Sequence, residues 1–169
     1  MTVLVGGVSQ LYQGDFDFGR AVVERLATQE LDGVQLAHLD YGAVAVAQEL
    51  QDVRPETLIL VGAAERGRPP GMLERREVGP LELASAQVGA AVAAAVTGYV
   101  SIDLVLEVAS GLGALPRDTL SIELEPALHG PSEQLSREGR AAVEGAVAVI
   151  RQELRRRRAP LPGGRGCAA

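Results

Sequence analysis

The sequence predicts an α/β protein with three layers: a mostly parallel central sheet of about five strands, with helices on both faces. Three observations carry that reading. Short apolar runs bounded by glycine alternate along the chain with amphipathic stretches of helical period. Aromatic residues make up only 3 % of the 169 residues while 47 % are hydrophobic, so the core is built from Val, Leu, Ile and Ala, the composition of helices packed on a parallel sheet. Finally, Val3-Leu4-Val5-Gly6-Gly7 leads into an acidic loop and then a helix, the order in which open α/β folds set ligand-binding loops at the carboxyl ends of their strands.

Residues 3–5 read as a short central strand ended by Gly6 and Gly7, and residues 19–27 as the amphipathic helix that follows. Residues 34–39 alternate apolar and polar and form a strand that stops at Asp40-Tyr41-Gly42; residues 43–50 are a short helix. Thr57-Leu58-Ile59-Leu60-Val61 is a buried strand stopped by Gly62, followed by the irregular Arg66-Gly67-Arg68-Pro69-Pro70-Gly71. Residues 72–77 suit a further strand, whereas residues 84–95 are mostly small and take no clear assignment. Residues 102–112 have helical spacing, with Asp103 near the start and Gly111 and Gly113 at the end. Residues 120–124 alternate as the last strand. Ser136 then heads a long helix whose apolar positions Val143, Ala146, Val147, Ile150 and Leu154 share one face. Residues 1–158 form one domain, and Pro160, Pro162 and Gly163-Gly164 mark residues 159–169 as a disordered tail.

Composition narrows the function. A net charge of −6 gives no electrostatic reason to hold nucleic acid or an acidic membrane surface. All sixteen basic residues are arginine, so a Walker-type lysine is absent, and neither Gly-x-Gly-x-x-Gly nor Gly-x-Ser-x-Gly occurs. Cys167, the single cysteine, leaves no internal disulfide and no cysteine-based zinc site. The opening strand carries no signal-peptide pattern, and the apolar run 89–96 is too short to span a bilayer, so a cytoplasmic setting without a membrane is expected. The run Arg155 to Arg158 either faces an acidic partner or complements a helix carboxyl terminus, the more ordinary role.

Candidate chemistry gathers near the first loop. Asp15 and Asp17 read as an acid/base pair or, more simply, as caps for the helix beginning near Gly19. His38 and Asp40, two apart on a strand, face one side, which suits metal binding or proton transfer; a hydrogen-bonded structural histidine is the plainer alternative. His129 in Ala127-Leu128-His129-Gly130-Pro131 reads as an exposed loop residue.

Taken in order, four stretches resemble the hydrogenase maturation protease family, the endopeptidases that trim the C-terminal extension of the large subunit of nickel-iron hydrogenases. Residues 5–26 are similar to its opening strand, Gly-Asn loop, acidic pair and helix glycine. Leu39-Asp40-Tyr41-Gly42 resembles its Asp-Gly-Gly-Thr turn, and Val61 through Pro69-Pro70-Gly71 its strand and Pro-Gly loop. Residues 101–116 and 122–126, with Gln134-Leu135-Ser136, are similar to its C-terminal half. The resemblance spans residues 3–154 and implies a hydrogenase large-subunit precursor or related metalloprotein as partner, nickel carried by that substrate, and no resident cofactor.

The match departs at the family's metal-contacting residues. Where members carry an acidic residue in the first loop, an aspartate after the third strand and a later histidine, this chain has Phe16, Gly62 and Gly98, a divergent pattern without a side-chain donor. Asp17, His38 and Asp40 are weak surrogates, with Glu65 near Gly62, and Asp15, Phe16, Asp17 and Phe18 are candidates for a substrate-docking loop. The resemblance leaves two expectations: a non-catalytic chaperone or assembly factor, or an active endopeptidase working through the surrogate residues.

Overall fold

A computed structural model describes residues 1–159, so the expected tail beyond Ala159 lies outside the described residues. Strand β1 (Val3–Val8) sits between β2 (Val34–Leu39) and β3 (Thr57–Ala63), both parallel to it. β4 (Leu73–Val78) forms the far edge, antiparallel to β5 (Asp118–Leu124), which lies parallel beside β3; the order is β2-β1-β3-β5-β4. Helices α1 (Phe18–Ala27) and α5 (Arg137–Arg158) cover one face, and α2 (Ala43–Val53), α3 (Ser85–Ala95) and α4 (Ile102–Gly111) the other.

Covering both faces explains the continuous apolar strands. Leu4, Val8, Leu58 and Leu60 point toward α2 and α4, while Val3, Val5, Ile59 and Val61 point toward α1 and α5, all of them buried. The edge strand β4 instead carries Glu74, Arg75, Arg76 and Glu77, charges that discourage the addition of another strand. Ser101 and Ser136 cap α4 and α5 by accepting the backbone N–H of Leu104 at 3.1 Å and of Gly139 at 2.8 Å.

Three glycines expected to stop strands are instead inside them. β1 continues through Gly6 and Gly7 to Val8, because these residues allow close packing rather than a turn. A Cβ on Gly7 would lie 2.4 Å from the carbonyl oxygen of Gly19 in α1, and one on Gly6 would lie 2.4 Å from Leu39. Gly62 likewise lies within β3, where a Cβ would meet the Val8 carbonyl oxygen at 2.8 Å. Residues 84–95, which lack a usable hydrophobic pattern, form helix α3 from Ser85 onward; it packs on α4 by setting Val88 against Gly111. Among the described residues, no helix is long and apolar enough to cross a membrane.

Candidate functional site

The carboxyl ends of β1 and β3 and the loops beyond them form the candidate site. After β1, residues 14–17 make a turn of 3-10 helix that runs directly into α1. This segment is joined to the loop after β5: the Ser132 N–H donates to the Tyr12 carbonyl at 2.9 Å, and the Asp15 N–H donates to the Leu128 carbonyl at 3.1 Å.

Neither acid caps α1 through its side chain, contrary to the sequence expectation. Asp15 is fully buried and holds the other end of the molecule, accepting the N–H groups of Ala127, Leu128 and Ser136 at 2.8–3.0 Å and the Ser136 hydroxyl at 2.8 Å. Burial alone would raise its pKa, but these donors more than offset the desolvation and hold it below the usual aspartate range. Asp17 turns to the Arg20 guanidinium, whose Nε lies 2.8 Å from its Oδ2. Phe18 is wholly buried, so of the four docking-loop candidates Asp15 and Phe18 are inaccessible to a partner.

Phe16 is half-buried, with its ring edge-on to His129 at a centroid separation of 5.7 Å. It walls a cavity of only about 10 Å³ whose other lining includes Val8, Ser9, Ala63, Val100 and Ser101. Such a space is about the size of a single water probe. His129 also accepts a partner the sequence did not suggest: its Nδ1 lies 2.7 Å from Glu65, and both side chains are more than half exposed.

To the other side of the loop lies an open groove of about 560 Å³, whose walls include Leu11, Tyr12, Asp17, His38, Asp40 and Glu133. His38, near the end of the β2 alternation, Asp40 just beyond that strand and Asp17 thus line one groove. They do not assemble as a metal site: among the described residues, no three His, Cys, Asp or Glu side chains converge in a way that would hold an ion.

A charged cluster beside Gly62 escaped the sequence reading. Glu123, paired in register with Gly62, is fully buried and meets Arg66 at 3.0 Å, Arg68 at 3.3 Å, Arg76 at 2.8 Å and the Ser121 hydroxyl at 2.9 Å. Arg66 continues to Asp103 through two bonds of 2.8 and 2.9 Å, and Glu125 accepts the Arg66 N–H at 2.9 Å. Burial opposes the charge on Glu123, but the hydrogen bonds from Arg66 and Ser121 and the nearby Arg charges prevail, keeping its pKa low. Ser121 and Glu123 alternate with buried apolar residues, a pattern that sequence alone reads as a solvent-facing edge. Arg66 and Arg68 from the loop after β3 and Arg76 from the neighbouring strand β4 cover them instead.

No protein-family model matches this chain, and no curated protein matches it either. Solved structures do. The chain superposes on the hydrogenase 2 maturation peptidase of a Thaumarchaeota archaeon with a TM-score of 0.63 and 28 % identity, over 91 % of this chain and 98 % of that one. The fold is that of the hydrogenase maturation proteases. The hydrogenase maturating endopeptidase HybD of Escherichia coli gives a TM-score of 0.67 at 20 % identity, over 94 % of each chain. The nickel-iron hydrogenase maturation protease HycI of Thermococcus kodakarensis gives 0.64 at 18 %, over 91 % of this chain and 92 % of that one.

Of the three residues that the family resemblance sets at metal contacts, only Phe16 lines the small cavity. Gly62 precedes the lining residue Ala63, and Gly98, in the turn before Val100, has a positive φ of 78° and open space where a side chain would go. A phenyl ring and two glycines do not fit the requirement for imidazole or carboxylate donors.

Proposed function

We propose that this protein acts in nickel-iron hydrogenase maturation as a non-catalytic chaperone or assembly factor that docks a hydrogenase large-subunit precursor, or a related metalloprotein, without cleaving it. The observation that carries this reading is the packing at Phe16, whose ring helps reduce the crevice beyond β1 and β3 to about 10 Å³. Metal-dependent recognition requires both donors and room for an ion with its substrate ligands. The overlap with hydrogenase maturation proteases over nine-tenths of the chain supports the same class of client.

A second reading, an active endopeptidase that contacts substrate-borne nickel through Asp17, His38 and Asp40, draws on their shared groove. The Arg20 guanidinium that occupies Asp17 weighs against it. Incubating the protein with the nickel-loaded precursor of a hydrogenase and weighing both by mass spectrometry separates the two. Stable association with an intact precursor is expected. A precursor shortened at its C-terminus overturns the proposal, and loss of that cleavage in His38→Gln would assign it to the groove.

A further inference from the structure

Tyr12 is held at a φ of +60°, a left-handed backbone that a bulky residue seldom adopts, and its side chain remains 64 % exposed. Such a conformation persists only where the surroundings impose it. Here the imposition is the bonding to the loop after β5, with Ser132 donating to the Tyr12 carbonyl and accepting from the Gly14 N–H at 3.3 Å. Burial does not repay this strain, since the ring stays in water.

Tyr12 lines two hollows: the groove of about 560 Å³ described above and a more open, mainly apolar hollow of about 340 Å³ that it shares with Pro131, Ser132 and Glu133. Leu11, itself 43 % exposed, extends the apolar strip. Charge selects the occupant of this strip. Four carboxylates face one guanidinium in the groove, and Arg20 is engaged by Asp17 and Glu24, which leaves Asp40 and Glu133 unpaired among the described residues.

We propose that this strip binds an extended basic peptide segment of a partner protein, with an apolar side chain seated against Tyr12 and Pro131 and arginine or lysine side chains set against Asp40 and Glu133. An aromatic anchor beside an apolar hollow supplies most of the affinity, and the unpaired acids supply selectivity. The inference deepens the docking role above and rests on it for the identity of the partner, though not for the chemistry of the strip.

The test is fluorescence anisotropy of the full chain with a labelled extended peptide of alternating leucine and lysine, against a counterpart of leucine and glutamate. The lysine probe is expected to bind and the glutamate probe not to. Tyr12→Gly should weaken binding about tenfold, as loss of an aromatic anchor does, with the melting temperature unchanged or raised because glycine accepts the left-handed backbone. Asp40→Asn with Glu133→Gln should also weaken it, whereas Asp52→Asn with Glu82→Gln, the same charge change at exposed positions outside the groove, should not. Equal binding of the acidic probe, wild-type affinity in Tyr12→Gly, or equal loss in the control pair overturns the proposal. Association with intact precursor but no probe binding defeats the strip alone; probe binding without precursor association defeats only the docking role.

Discussion

The buried carboxylate of Asp15 receives both the backbone N–H and the hydroxyl of Ser136, 121 residues later in the chain, each at 2.8 Å. Ser136 in turn accepts the Gly139 N–H at the start of α5, so one aspartate ties the first loop, the loop after β5 and the last helix together.

Asp15→Asn is therefore expected to destabilise the fold by about 2–3 kcal/mol, because the amide sets a donor among donors and leaves buried N–H groups without acceptors. Urea unfolding should show a lower midpoint at an unchanged slope.

Acid should unfold the protein through its paired carboxylates. Burial pushes the Glu153 pKa up, but bonds from Arg75, Arg157 and Arg156 pull it down to about 2 from 4.5, and Asp15 and Glu123 shift in the same direction. The unfolded chain then binds more protons than the folded one. Stability is fully present above the ordinary carboxylate range and is lost as pH falls from about 4.5 toward 2. Urea midpoints measured through that window should fall steadily in the wild type and less steeply in Glu153→Gln.

Glu123→Gln should cost about 3–5 kcal/mol, the usual consequence of removing one partner from a buried ionic cluster. The guanidinium groups of Arg66, Arg68 and Arg76 would lose their shared counter-ion. Thermal denaturation should show a large loss, whereas Asp103→Asn, on the exposed side of Arg66, should change little.

Glycine-to-alanine changes should divide by contact rather than by secondary structure. Gly7→Ala places a methyl 2.4 Å from the Gly19 carbonyl oxygen and should cost at least about 1–3 kcal/mol. Gly89→Ala, in α3 with open space around it, should gain up to about 1 kcal/mol. Paired melting curves of the two variants check the contrast.

Much of the architecture was legible in local pattern. The apolar runs of β1 and β3, the alternation in β2 and β5, and Ser136 at the head of α5 all express periods and caps that a short window contains. The glycines misled because a glycine that permits a crossing at Gly7 and one that makes a turn at Gly71, with its φ of 86°, are the same letter. Helix α3 was hidden for a related reason: residues so small leave little contrast between a buried face and a wet one.

The candidate site was less legible than the fold. His38 and Asp40 could be set on one side of a strand from their spacing, but the use of Asp15 as a strut, the Arg20 grip on Asp17 and the shielding of Glu123 could not. Hydrophobic period and turn chemistry are properties of neighbouring residues, so the amino-acid order settled the layers, every strand and helix except α3, and the likeness to maturation proteases. Which charges are buried, which glycines are contacts and which aromatic ring faces water depend on partners tens of residues away. Those choices were made only when the chain packed, because desolvation and pairing act through space.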